Sequence, residues 1–146
     1  MKILLINPVF CEEYRLIKRG QLLVPPINLA YLAGGLERCG HEVEIVDANV
    51  LFLMLDDLRE IIAASGADVV GVTAKTPTYN DALDVLGMTK EVLPAAVTVL
   101  GGPHPTVCPE RCIIHDCCDF LVLGEGEITL TELVSVLESG GDPSAI

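Results

Sequence analysis

The sequence predicts an α/β domain, in which helices on both faces of a five-stranded, doubly wound parallel sheet make three layers. Five short runs rich in branched aliphatic residues recur along the chain, separated by amphipathic helical patterns. The runs are apolar almost throughout, as strands buried on both faces must be. Parallel neighbours also need crossover connections, which the intervening helices supply.

The predicted strands and the apolar faces of the helices alternate along the chain. The strands cover residues 2–6, 43–46, 68–73, 97–100 and 120–123. Spacings of three and four residues define each helix face. These faces contain Leu29, Leu32, Leu36 and Cys39; then Leu55, Leu58, Ile61 and Ile62; then Ala82, Val85 and Leu86; and last Leu130, Leu133, Val134 and Leu137.

Capping and stop signals predict the ends of the helices. Asn28 is a possible cap of the first helix, and Gly40 follows that helix as a stop. The third helix is expected to begin near Thr78. In the last helix, Thr129 and Glu132 form a T-x-x-E capping box. Gly140 and Pro94 are expected to end the last and the third helix, respectively.

Five such units commonly adopt the strand order 2-1-3-4-5, which is the flavodoxin-like arrangement. This order opens a crevice at the carboxyl ends of strands one and three, where ligands of such folds bind. The sequence therefore directs the search for function to the loops at that edge. They include the long segment 7–28, TAKTPTYND, GGPHPTVCPE and GEGEIT.

Composition restricts the classes of protein and partner. A chain of 146 residues fits one domain over residues 1–146, and no apolar run reaches the ~20 residues of a membrane span. MKILLINPVF is interpreted as a first strand and not as a signal peptide, so we expect a cytoplasmic protein without a membrane partner. A formal charge of −12 argues against nucleic acid. The six cysteines are expected to stay thiols in a reducing compartment.

Small and hydroxyl residues mark candidate positions on the loop edge. Gly101 and Gly102 suit either close approach of a ligand to the backbone or a turn with φ > 0. Gly71 leaves room for an inserted ligand or for close helix packing. The Gly124-Glu125-Gly126 loop can present N–H groups to an anion. The hydroxyls of Thr73, Thr76 and Thr78 suit either ligand binding or turn formation.

His104 and the cysteines raise the question of a metal site. His104 lies between two prolines and is open to a ligand role or a turn role. The spacing of Cys108, Cys112 and Cys117 matches neither paired C-x-x-C zinc clusters nor the C-x-x-x-C-x-x-C motif of radical enzymes. Structural thiols are therefore favoured, and Pro109 makes Cys108 a natural helix entry. A small zinc or iron–sulfur module remains the alternative.

Two familiar uses of the fold do not match the loops. A phosphorylated receiver needs acidic residues after strand one, a phosphoacceptor Asp after strand three and a Lys after strand five, where this chain has Asn7, Thr73 and Gly124. A flavodoxin needs a Ser/Thr/Gly-rich phosphate loop after strand one, and NPVFCEEY is not such a loop. Function must come from another type of site.

Three segments, in this order, resemble the cobalamin-binding domain of cobalamin-dependent radical S-adenosylmethionine enzymes: PPINLAYLAGGLERCGHEVEIVDAN, VLGGPHPTVCPE and FLVLGEGEITLTEL. The resemblance implies that Gly101, Gly102 and Pro103 underlie the corrin or its tail. It further implies that Thr73 and Thr76 contact the tail and that the glycine loop after strand five touches the corrin edge. The implied cofactor-binding set is Asn7, Gly71, Thr73, Thr76, Gly101, Gly102, Pro103, His104, Gly124, Glu125 and Gly126.

Two departures from related patterns refine this expectation. No D-x-H-x-x-G motif follows strand one, so cobalamin is expected base-off without a histidine ligand. No iron–sulfur motif is present, so S-adenosylmethionine, the cluster and the radical catalytic domain are expected downstream, in cis or in trans. By the same resemblance, the domain alone would bind the cofactor without catalysing, and the whole enzyme would transfer methyl groups or carry out another radical transformation. The alternative is a cofactor-free protein-interaction domain of the same fold.

Overall fold

A computed structural model describes residues 1–8 and 25–146 of the chain. The strands are β1 Lys2–Asn7, β2 Glu42–Asp47, β3 Val69–Thr73, β4 Val97–Gly101 and β5 Phe120–Val122. The helices are α1 Ile27–Arg38, α2 Leu55–Ser65, α3 Tyr79–Val92, α4 Pro103–Val107, α5 Pro109–Cys112 and α6 Glu127–Ser139. Short 3-10 turns cover Thr76–Thr78 and Pro143–Ala145. Most of the loop after β1 lies outside the described residues.

The sheet has the strand order β2-β1-β3-β4-β5, and every neighbouring pair is parallel. The predicted fold class and strand order are therefore confirmed, and each predicted strand lies within two residues of an observed one. Within the described part of the chain, no helix is long and apolar enough to cross a membrane.

Two hydrophobic cores lie on opposite faces of the sheet, because neighbouring side chains of a strand point to opposite faces. Leu4 and Ile6 of β1 pack in the core beneath α2 and α3. Ile3 and Leu5 of the same strand pack in the core beneath α1 and α6. The second face is thus covered by the helices that follow the first and the last strand. This arrangement leaves the carboxyl ends of β3 and β4 thinly covered on that face.

Two predicted helix caps are wrong, and the residues just before the helices explain why. Helix α1 has Pro26 at its N-cap, so Asn28 lies inside the first turn and its amide is free to bind elsewhere. Helix α6 begins directly after Gly126, whose left-handed backbone turns the chain into the helix, so Thr129 is a first-turn residue. The predicted stop at Gly140 is confirmed by its left-handed C-cap.

The GGPHPTVCPE segment was expected to be a loop, but it contains α4 and α5. Pro103 and Pro109 start these helices at the positions that proline tolerates best. Cys108 is the N-cap residue of α5, so the predicted helix entry is confirmed.

The carboxylate of Asp119 ties the entry of β5 to β4 and α3. It accepts hydrogen bonds from the Thr98 backbone N–H at 2.8 Å, from the Thr98 hydroxyl at 2.9 Å and from the ammonium of Lys90. Burial alone would raise the pKa of Asp119, but these hydrogen bonds outweigh it and lower the pKa below its usual value. The ionised carboxylate therefore stabilises the folded state.

We predict that Asp119→Asn lowers the free energy of unfolding by about 1–2 kcal/mol at pH 7, a value that allows for solvent screening of this half-exposed group. Because folding lowers the pKa of Asp119, its carboxylate stabilises the folded protein at pH values above the pKa of the unfolded state. This stabilisation is lost as the pH falls through the pKa of the folded state. Urea unfolding should therefore show the difference shrinking below about pH 4. Asp116→Asn, at an exposed neighbouring position, is the control. A pH-independent difference would contradict this assignment.

Gly102 connects β4 to α4 with a backbone that only glycine adopts readily. Its φ of 102° and ψ of −173° lie in a region almost closed to other residues. A Cβ there would lie 2.8 Å from the Ala74 carbonyl oxygen and 2.8 Å from the Thr73 hydroxyl oxygen. Of the two roles left open for this glycine, the turn with positive φ is therefore present in the structure.

We predict that Gly102→Ala lowers the free energy of unfolding by about 2–4 kcal/mol. The change strains the backbone at positive φ, and it also brings the new Cβ too close to the backbone of Ala74. Gly87→Ala in α3 is the matched control, since nothing lies within 4 Å of a Cβ there. That change should stabilise the protein by about 0.5–1 kcal/mol. Thermal and denaturant unfolding measure both, and a neutral Gly102→Ala would refute the conformational argument.

Candidate functional site

The main cavity, of about 440 Å³, opens between α1 and α6 at the carboxyl ends of the strands. Its volume lies within the range typical of small-molecule sites. Four strands contribute its floor, through Leu5, Gly71, Val99 and Val122. Its walls and mouth contain Asn28, Leu29, Leu32, Thr73, Lys75, Gly101, Gly102, Pro103, Thr106, Val107, Gly124, Glu125, Gly126 and Leu130, while Val72 adds to the lining.

Gly71 gives this floor its depth. A Cβ at this position would lie 2.9 Å from the Cδ2 methyl of Leu5, so any side chain would occupy the space above the strand. The residue lies in the middle of buried strand β3, where glycine is otherwise unfavourable. The missing side chain therefore creates space where helices would normally close on the sheet.

The loops after β4 and β5 are joined at the mouth of the cavity by the hydroxyl of Thr106. This hydroxyl donates to the Gly102 carbonyl at 2.8 Å and accepts from the Gly124 backbone N–H at 3.0 Å. Gly124 and Gly126 both have positive φ. A Cβ on Gly126 would lie 3.0 Å from Val122 Cγ1, so glycine lets this loop approach the sheet. Sequence analysis missed Thr106, although it lies within the GGPHPT motif.

A second cavity, of about 250 Å³, lies at the switch point between β1 and β3. Its lining consists of Asn7, Pro25, Pro26, Ile27, Asn28, Thr73 and Lys75. The side-chain amide of Asn28 donates to the buried hydroxyl of Thr73 at 3.2 Å, and both residues also line the main cavity. The main cavity thus lies farther toward β5 than the predicted crevice, because α1 and α6 flank β3 and β4.

All predicted site residues line one of these two cavities except Thr76 and His104. The Thr76 hydroxyl lies 3.2 Å from Nδ1 of His104, and the imidazole packs on the ring of Tyr79 at a centroid distance of 4.2 Å. His104 is 9% exposed, and its Nε2 has no hydrogen-bond partner among residues 1–8 and 25–146. The structure therefore places this pair beside α3, away from both cavities.

Asn28 and Lys75 line both cavities but were not predicted as site residues. The signal for Asn28 was present but was interpreted as a helix cap. Lys75 lies between two predicted threonines, and only the fold shows that the chain at this point borders two cavities.

Cys112 and the two cysteines before β5 pack in or against the core on the other face of the sheet, whereas Cys108 is partly exposed and is not part of that core. Cys112 and Cys118 are buried there, and Cys117 packs against it. Burial raises the pKa of Cys118 to about 11 and that of Tyr79 to about 12. Among residues 1–8 and 25–146, no group of three or more His, Cys, Asp or Glu side chains is placed to hold a metal ion. Cys11 lies outside the described residues.

Sequence relatives connect the chain to a known family. A family model described as the B12 binding domain matches residues 16–134. An uncharacterised methyltransferase of Pyrococcus horikoshii is 37% identical over 147 residues, which cover 100% of this chain and 31% of the relative. The anaerobic magnesium-protoporphyrin IX monomethyl ester cyclase of Rubrivivax gelatinosus is 42% identical over 118 residues, covering 80% of this chain and 21% of the relative. The chain therefore spans less than a third of either relative.

Solved structures show the same fold in different proteins. The cobalamin-dependent S-adenosylmethionine radical enzyme OxsB with aqua-cobalamin bound matches with a TM-score of 0.80 at 17% identity, over 97% of this chain and 19% of that chain. The receiver domain of the Escherichia coli stress response regulator RcsB matches with a TM-score of 0.64 at 15% identity, over 97% of this chain and 95% of that chain. At these identities the likeness shows the flavodoxin-like fold alone.

The family match spans the GGPHPT and GEGE segments, which build the mouth of the main cavity, and it confirms the resemblance inferred from those segments. It also covers far more than half of the chain. This chain therefore belongs to the B12-binding domain family, and its cofactor is cobalamin.

Proposed function

We propose that this domain binds cobalamin base-off, with the nucleotide tail in the main cavity and no protein histidine on the cobalt. The observation that carries the proposal is the glycine-floored cavity at the carboxyl edge, with every histidine of the chain lying elsewhere. The proposal assigns the chain a binding role and leaves the reaction to a further domain.

The lining of the main cavity fits a flat base attached to a sugar. Leu29 and Leu32 of α1 and Leu130 of α6 provide apolar walls, and Gly71 leaves the floor without a side chain. Such apolar surface favours burial of a heteroaromatic base. Polar groups occur mainly at the ends, where Thr73 and Asn28 can contact a ribose. The cavity and the cofactor therefore match in shape and polarity.

The three histidines make contacts elsewhere and line neither cavity. His104 packs on Tyr79, and the ring of His115 lies 6.2 Å from that same tyrosine. His41 lies at the opposite edge of the sheet, where its Nδ1 is 3.4 Å from the N-terminal ammonium. A cobalt ligand would have to leave one of these packed environments. Binding without protein imidazole needs no such movement.

Exposed apolar side chains near the mouth of the main cavity are available for burial against the corrin macrocycle or against another domain. Val107 and Ile128 are 78% and 74% exposed, respectively. Bound cobalamin supplies a cobalt centre able to carry a methyl group, while this chain's residues hold and orient the molecule. We propose that a radical S-adenosylmethionine domain, in cis or in trans, uses that centre for methyl transfer, and that the whole protein is cytoplasmic. The Pyrococcus horikoshii relative, which is named as a methyltransferase, supports this assignment.

We predict that the purified chain mixed with hydroxocobalamin gains visible absorbance that survives gel filtration, which a cofactor-free interaction domain would not do. After reduction to cob(II)alamin, the electron paramagnetic resonance spectrum should lack nitrogen superhyperfine splitting. His104→Ala should leave that spectrum unchanged.

A triplet splitting from one nitrogen would show an imidazole or benzimidazole ligand. Loss of the triplet in His104→Ala would identify His104 as that ligand and would refute the proposed mode. If the chain bound neither hydroxocobalamin nor cob(II)alamin, that result would refute the cofactor assignment itself.

We predict that Gly71→Val weakens cobalamin binding more than it weakens folding. Valine suits the backbone of a buried strand, but its Cβ meets the end of Leu5, which itself lines the cavity, so the added side chain and the displaced Leu5 take space from the cavity. Overpacking of this kind costs about 1–3 kcal/mol. Where this cost falls on the bound state, cobalamin affinity drops roughly 5- to 150-fold. Titration followed by visible absorbance measures the affinity.

Val70→Ile is the matched control because Val70 adjoins Gly71 but faces the core beneath α2 and α3. It should change the thermal midpoint without changing cobalamin affinity. Equal affinities for wild type and a folded Gly71→Val protein would exclude the main cavity as the tail site.

A further inference from the structure

The smaller cavity differs from the main cavity in the chemistry of its lining. Asn7, Asn28, Thr73 and Lys75 make it largely polar, with only prolines and one isoleucine besides. The two cavities meet at Asn28, Thr73 and Lys75, which line both. A ligand with an apolar end and a polar connection could therefore occupy both spaces at once.

Lys75 is the one cationic side chain in the described lining of the two cavities. It is exposed and takes part in none of the ion pairs found among the described residues. Its backbone is held on both sides by one hydroxyl, because its N–H donates to Thr78 Oγ1 at 3.1 Å and its carbonyl accepts from that oxygen at 3.3 Å. The backbone of Lys75 is therefore held in place, and no acidic side chain among residues 1–8 and 25–146 forms an ion pair with its ammonium.

An anion needs such a local cation in this protein. The formal net charge of −12 creates a field that repels negative ligands. The nucleotide tail of cobalamin contains a phosphodiester, which carries one negative charge between the corrin and the ribose. Ammonium and amide N–H groups donate strong hydrogen bonds to phosphate oxygens. Lys75 and the amide of Asn28 are the donors of this kind at the junction.

We propose that the smaller cavity is an anion subsite in which Lys75, with Asn28 and Thr73 beside it, binds the phosphodiester of the nucleotide tail while the base and its ribose occupy the main cavity. The subsite makes the domain prefer complete cobalamin to corrinoids that lack the tail. This inference rests on the proposed function, since it assigns a specificity residue to the same ligand.

The test compares cobalamin with cobinamide, which keeps the corrin but lacks the phosphodiester, the ribose and the base. Lys75→Gln should weaken binding of hydroxocobalamin by about 3- to 10-fold, an effect expected for a partly exposed charge pair. Affinity for cobinamide should not change. The salt dependence of cobalamin binding should become shallower in the variant, and Lys75→Arg should restore affinity.

Lys2→Gln is the matched control, because it removes the same charge at the amino end of β1, where Lys2 pairs with Glu42 at 3.2 Å. It should leave both affinities unchanged. Unaltered cobalamin binding by Lys75→Gln, or an equal loss for cobinamide, would overturn the subsite while the proposed function stands. Failure of the wild-type chain to bind either corrinoid would instead refute the proposed function.

Discussion

The site depends on an unequal division of helices between the two faces of the sheet. Helices α1 and α6 follow the first and the last strand, and they lie on the same face above β1, β3, β4 and β5. Close packing would normally fill the space between them with side chains. Gly71 prevents this at the floor, and Gly126 lets the last loop bend toward Val122 at the rim. The cavity is therefore a consequence of connectivity combined with missing side chains.

Glycines in this domain have two separable physical roles. Gly102 is required by its backbone conformation and by its contact with the Ala74 carbonyl, so its substitution acts on the fold. Gly71 has a strand conformation open to any residue, so its substitution acts on the cavity. Both line the main cavity, in which the nucleotide tail is proposed to bind. The glycines of this cavity thus include one that the fold requires and one that leaves space for a ligand.

The polar groups are also divided by face. His104, Tyr79 and the buried thiols form part of the packing around α3, where burial raises the pKa of Cys118 and of Tyr79. Asn28, Thr73 and Lys75 lie at the junction of the two cavities on the other side of the β3 end. Cys112 and Cys118 therefore serve core packing and His104 packs on Tyr79, while the hydroxyls and amides are left for the proposed site.

The sequence by itself determined the fold and the edge of the sheet at which the two cavities lie. Alternating apolar runs and helical patterns are local and repetitive, so they specified five parallel strands, their order and a loop-rich carboxyl edge. The GGPHPT and GEGE segments, together with PPINLAYLAGGLERCGHEVEIVDAN at residues 25–49, specified the family. The helix stop at Gly140 and the helix entry at Cys108 followed from similarly local chemistry.

Only the tertiary structure decided which predicted residues face the cavities. Neighbouring residues in one loop can point to opposite sides of the sheet edge, so Thr73 lies at the junction while Thr76 binds His104. Asn28 caps nothing because Pro26 already begins the helix, and its amide instead contacts a threonine 45 residues away in the chain. Such pairings depend on distances between strands, which no local pattern encodes. The same reason explains why Lys75 and Thr106 emerged as site residues only in the folded protein.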